Sequence, residues 1–182
     1  MRNAWKFRVD AKRWVPIPAT TAWTAEGRLR WIEQATMVAS VAMLAQDVPM
    51  SELRARMMEI ADTPRGPESA VFVPVAEPMP LLTHMVTDTA EAIGVARAQW
   101  HVRAKGTRAV ETTALEGARM SDAVRIARVD ADANGDIVYS VAFVGTSGDV
   151  GTVWHGATKH PLVAGQFMSM GAEVFATVER RL

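Results

Sequence analysis

Near the start of the chain, Trp5, Phe7 and Val9 alternate with Lys6, Arg8 and Asp10, the two-residue period of a strand with one buried face. Pro16 and Pro18 end that segment. Thr24 then offers a hydroxyl to the unpaired N–H groups of a helical first turn. Leu29, Ile32, Ala35 or Thr36, Ala39, and Ala42 or Met43 recur three and four apart, which predicts a helix to about Gln46. A second helix starts near Ser51, with Leu53, Met57 and Ile60 on one face, and stops before the turn chemistry of TPRGP, residues 63–67. AVFVPV, residues 70–75, reads as a strand that Pro74 ends or confines to a sheet edge.

From Leu81, LLTHMVTDTAEAIG alternates Leu82, His84, Val86 and Asp88 with Thr83, Met85 and Thr87. Its β-branched density favours a strand, with Ala90 to Ile93 as a helical turn closed by Gly94. Five β-rich segments follow, QWHVRAKG, TRAVETTALE, AVRIARVD, DIVYSVAFVG and VGTVWHGA, separated by glycine-containing or polar breaks. The closing segment, 160–182, places Val163, Phe167, Met170, Val174, Phe175 and Val178 on one helical face. Pro161 suits its first turn, and Arg180 and Arg181 suit the negative end of its dipole. Strands grouped in the second half and helices at 25–62 and 161–180 predict an α+β fold, a mostly antiparallel twisted sheet with helices packed on one face.

The segment DADANGD, residues 130–136, poses a choice between a calcium loop and a hairpin turn. Asp130, Asp132, Asn134, Gly135 and Asp136 match the first half of an EF-hand loop, but its twelfth position is Val141, where a bidentate carboxylate is needed. The flanks alternate as strands do. Asn134-Gly135 is instead a strong hairpin signal, since a type I′ turn wants positive φ at both central residues. No metal site is assigned.

Composition narrows the function. The chain has 182 residues and a mass of 19.8 kDa, the size of a single domain 1–182 with a substantial core. Its 20 basic and 20 acidic side chains cancel, so no overall field favours nucleic acid or an anionic membrane. Without cysteine there are no disulfides, thiolate metal sites or acyl anchor. The most apolar window, MVASVAMLA at 37–45, is far shorter than the roughly 20 residues that cross hydrocarbon. The expected location is the cytoplasm.

Candidate chemistry is sparse. His84, His101, His155 and His160 lack a metal-ligand spacing, GTSGD at 145–149 lacks the second glycine of a nucleophile elbow, and no phosphate-binding glycine motif occurs. Glu111 and Glu116 lack a marker of burial. Hence no catalytic residue and no cofactor are expected. Six tryptophans and eleven methionines fit either core or a partner surface. Trp14 and Trp23, around Pro16 and Pro18, are the candidates for an exposed partner patch. Trp100, Tyr139, Trp154 and His155 are the candidates for lining a pocket between a curved sheet and a covering helix.

The order of elements, with VPIP at 15–18, a helical pair, the FVPV strand at 72–75, the hairpin ANGDIVYSVAFVGT, the Trp154-His155 pair and a helix after HPLV, resembles the PsbP-like fold, in particular small uncharacterised actinobacterial proteins of that type. The resemblance implies an adaptor or accessory subunit that acts by binding, and it carries no catalytic residue over. The lipid-anchoring cysteine of exported members is absent. The expected function is thus a non-enzymatic module that binds a protein partner or a second copy of itself; the alternative is a small-molecule pocket protein or enzyme.

Overall fold

The computed structural model describes residues 5–6, 8–18, 23–42, 47–63, 68–75, 79–102 and 106–180. Along the chain run β1 (Trp5–Lys6), β2 (Trp14–Ile17), α1 (Ala25–Ala42), α2 (Met50–Asp62), β3 (Glu68–Phe72) and β4 (Leu81–Thr89). Then come α3 (Ala90–His101), β5 (Thr107–Ala114), β6 (Ser121–Ala131), β7 (Ile137–Ser147), β8 (Val150–Thr158), α4 (Pro161–Ala176) and β9 (Glu179–Arg180). The class is α+β: among the described residues, four helices pack against a seven-stranded open antiparallel sheet. The chain divides into two compact units, Val9–His84, and Met1–Arg8 with Met85–Leu182.

In the unit Val9–His84, a tight turn precedes β2. The Asp10 carbonyl accepts from the N–H groups of Arg13 (2.9 Å) and Trp14 (3.0 Å), and the Asp10 carboxylate accepts from the N–H of Lys12 (2.9 Å). Strand β2 pairs antiparallel with β3, from Trp14 opposite Phe72 to Ile17 opposite Ser69, and the order is β2-β3-β4. Pro16 is tolerated because β2 is an edge strand and needs no second ladder. The expected cap forms: the Thr24 hydroxyl accepts from the N–H of Gly27 at 3.0 Å. Ile32, Ala35 and Ala39 of α1 meet Leu53 and Met57 of α2 over Val15, Ile17, Val71 and Val73. The turn chemistry of residues 64–67 lies outside the described residues.

In the other unit β8, β7, β6 and β5 follow one another beside Met85–Thr89 of β4, while β1 and β9 form a separate two-residue pairing. Neighbouring strand residues point to opposite faces, and here both faces are covered. Ile93 of α3 packs on Val124, Ile126, Ala142, Val144 and Val153. Phe143 and Trp154 point the other way, to Phe167 and Phe175 of α4, with ring centroids 5.4–5.7 Å apart. So α3 and α4 take opposite faces, where the sequence pointed to one. The residues 141–144, Val-Ala-Phe-Val, are all buried and form the continuous apolar run of a strand covered twice.

Three local expectations change. The helical turn at Ala90 to Ile93 continues through Gly94 to His101 as α3, so Gln99 and Trp100 are helical and begin no strand. The Thr89 hydroxyl caps it, accepting from the N–H of Ala92 at 3.2 Å, and the Ala90 N–H is held by the Asp149 carbonyl at 2.9 Å. At the other end, α4 stops at Ala176, and Glu179–Arg180 turns back as β9 to pair with β1. The DADANGD segment is a hairpin between β6 and β7, yet the turn sits earlier than a type I′ at Asn134-Gly135. The Gly135 N–H returns to the Asp132 carbonyl (2.9 Å), and the Asp132 N–H to the Asp136 carbonyl (2.8 Å). Only Gly135 has positive φ there, at 84°, which is a type I turn closed by a glycine bulge.

Candidate functional site

The core of each unit is built of buried apolar side chains, and the recesses among the described residues lie at the surfaces. In the unit Val9–His84, the Asp10 turn lies alongside the exposed flank of α1. Between them runs an open groove of ≈ 420 Å³, with Met37, Val38, Val41 and Ala42 as its apolar side and Asp10 to Arg13 as its rim. The helical period explains the apolar side: Ile32, Ala35 and Ala39 face the core, which turns Met37 (58% exposed) and Val41 (61% exposed) outward. They are among the most exposed large apolar side chains described.

The rim is cationic in effect. The Asp10 carboxylate is engaged by its own turn. Lys12 and Arg13 form no ion pair among the described residues, and Arg13 Nη1 is shielded from solvent with no hydrogen-bond partner. A shielded guanidinium nitrogen without an acceptor is unfavourable, by about 1–3 kcal/mol or more for a charged group.

Neither tryptophan of the expected partner patch provides this surface. Trp14 is 2% exposed, because its position opposite Phe72 in the β2–β3 register sets the two rings against each other, tilted, with centroids 4.6 Å apart. Trp23 is half-buried and packs at 5.7 Å on Trp31, whose indole N–H donates to the Pro16 carbonyl at 2.8 Å. At the groove the exposed apolar groups are Met37 and Val41 of α1, which look in sequence like more of the same apolar helix.

The four expected pocket residues part company. Trp100 and His155 do meet, with ring centroids 5.9 Å apart on the α3 face. Trp154 and Tyr139 lie on the α4 face, because they are an odd number of positions from residues on the other side. Trp154 is buried against Phe143 and Phe167, and Tyr139 lines a recess of ≈ 280 Å³ with Val141, Ala164 and Met168. Among the described residues no one recess gathers the four.

The remaining candidates are accounted for by structure. His84 Nδ1 lies 3.1 Å from the Ser69 hydroxyl, and His101 Nδ1 lies 3.2 Å from that of Thr112. His160 precedes α4 without a side-chain cap. Glu111 reaches Arg125 at 3.5 Å. At the hairpin tip, Lys159 Nζ bridges Asp132 (2.9 Å) and Asp136 (2.5 Å), and Asp132 Oδ1 also accepts from the N–H groups of Asn134 and Asp136. The ammonium therefore pairs with two of the loop's acids, while Asp130 pairs with Arg128. Its hydrogen bond holds the Asp132 carboxyl below the usual carboxylate range, helped by the backbone N–H donors, while Asp136 and Asp132 push the Lys159 ammonium up.

No family model, no curated protein and no solved structure matches this chain. Among the described residues no helix is long and apolar enough to cross a membrane.

Proposed function

We propose that the protein is a docking module that binds a partner protein through the groove between the Asp10 turn and α1, and that its occupant is an amphipathic helical segment bearing carboxylates. The observation that carries the reading is the pairing, across one groove, of exposed Met37 and Val41 with the Lys12 and Arg13 rim, which makes no ion pair among the described residues. Methionine and valine offer an adaptable apolar seat for leucine-like anchors at helical spacing. Arg13 and Lys12 select the charge beside those anchors. A second copy of this chain is the poorer occupant, because a two-fold contact would bring like cations together. The small size of the groove suits a transient partner rather than an obligate one.

The test is an amide NMR titration with two helical peptides of identical leucine spacing, one flanked by glutamates and the other by lysines. The glutamate peptide is expected to shift residues 10–13 and 37–42 saturably, and the lysine peptide to leave them unmoved. Equal response to both peptides, or shifts spread over other surfaces, would overturn the reading. A stable dimer in solution that Met37→Glu dissociates would point to a second copy as the occupant instead.

A further inference from the structure

The unit containing β5 to β8 carries a second recess, on the α3 face, and its chemistry differs from that of the groove. Helix α3 covers the apolar part of that face and ends at His101. Past its last turn the same face of β6 and β7 becomes polar. Arg128, Asp130 and Ser140 floor a cleft of ≈ 250 Å³, walled by Ala96, Gln99 and Trp100.

Arg128 is fixed rather than free. Its Nε donates to both carboxylate oxygens of Asp130, at 3.0 and 2.7 Å, and its Nη2 donates to the Thr107 hydroxyl at 2.8 Å. The Thr107 hydroxyl in turn donates to Asp130 at 2.7 Å, which closes a three-membered ring of bonds around an arginine side chain only 17% exposed. This leaves Arg128 Nη1 without an acceptor among the described residues. Trp100, Gln99 and Ser140 line the same cleft, and both carboxylate oxygens of Asp130 are held by Arg128 and Thr107. The cleft therefore offers one cationic donor without an acceptor among the described residues, Arg128 Nη1, beside one aromatic wall steadied by His155.

We infer that this cleft binds a small planar monocarboxylate, an aromatic or short unsaturated acid. The carboxylate takes the free edge of the Arg128 guanidinium, the matching of a planar fork to a planar anion, and the body of the ligand lies against Trp100. Asp130 offsets the charge of Arg128 and repels any anion beside it, a multiply charged phosphate more strongly than a single carboxylate. Thr107 and Asp130 are positioning residues that hold the fork in place.

The experiment titrates the intact chain with benzoate, benzamide and inorganic phosphate, and reads the indole N–H resonance of Trp100, assigned by Trp100→Phe. Benzoate is expected to shift it saturably, phosphate to leave it in place, and benzamide to bind more weakly. Arg128→Gln is expected to weaken benzoate about tenfold or more, as loss of one charge-assisted hydrogen bond does. Ser140→Ala and Gln99→Ala, which leave the Arg128 ring of bonds intact, should each weaken it less and keep the amide spectrum folded. An equal response to benzamide and benzoate, an undiminished benzoate shift in Arg128→Gln, or no saturable shift in the folded wild-type protein would overturn the inference. None of these outcomes bears on the groove, whose residues lie in the other unit.

Discussion

At the residue scale, the hairpin between β6 and β7 depends on two side-chain facts that can be tested separately. Gly135 adopts φ of 84° with open space around an added Cβ, so Gly135→Ala meets backbone strain alone. The expected loss is about 1–2 kcal/mol, with Gly135→Asn losing less because asparagine tolerates the left-handed region, and thermal unfolding of the two variants side by side checks the order. Lys159 is the second fact. Because the Asp132 carboxyl is held down in the folded state, its stabilising share is present above the ordinary carboxylate range near pH 4 and is lost as pH falls through the depressed folded value. Lys159→Gln should move the carboxyl titration of Asp132, followed by NMR, upward toward the ordinary value; an unmoved titration would show that the backbone donors alone hold it. The sequence made the acids of this loop visible. It hid the lysine that neutralises them, because Lys159 lies on the far side of β7 and β8 in the chain and only the β7–β8 register carries it back to the tip.

At the element scale, the packing of the two helices on opposite faces can be read from two glycines. A Cβ on Gly171 of α4 would lie 2.6 Å from the Phe143 ring, and one on Gly151 of β8 would lie 2.9 Å from Ile93 of α3. In a helix, alanine for glycine normally gains about 1 kcal/mol. Overpacking a filled core costs about 1–3 kcal/mol, so Gly171→Ala should destabilise on balance. Gly151→Ala should do the same through the other face, and a stabilised Gly171→Ala in chemical denaturation would contradict the close approach of α4. Phe143→Ala, which removes a ring shared by Trp154, Phe167 and Phe175, should cost about 3–5 kcal/mol. These elements were legible in unequal degree. Alternation in β6 to β8 and the apolar face of α4 were plain. The length of α3 was not, since Gly94 and the valine and tryptophan around it carry weak helical preference, and the helix is set by the Thr89 cap and by Ile93 seated over Gly151. Nor was the second covered face recognised, although 141–144 is apolar at every position.

At the scale of the whole molecule, the candidate surfaces were the least legible feature. Trp14 looked like an exposed anchor until the β2–β3 register set it against Phe72. Met37 and Val41 looked like core until the helical phase, fixed by Ile32, Ala35 and Ala39, turned them outward. The Asp10 turn that completes the groove is separated from them in sequence, and periodicity cannot join segments that meet only through tertiary packing. Of the four residues expected to line one pocket, Trp100 and His155 meet, whereas Tyr139 and Trp154 lie on the opposite face because strand alternation assigns sides one residue at a time. The account of function depends on charge selection at the groove. The most direct measurement is calorimetric binding of the glutamate-flanked and lysine-flanked peptides to the wild-type chain and to the double variant Lys12→Glu, Arg13→Glu. The account predicts that the wild-type protein prefers the glutamate peptide and that the double variant inverts this preference; an unchanged preference in a folded double variant would contradict it.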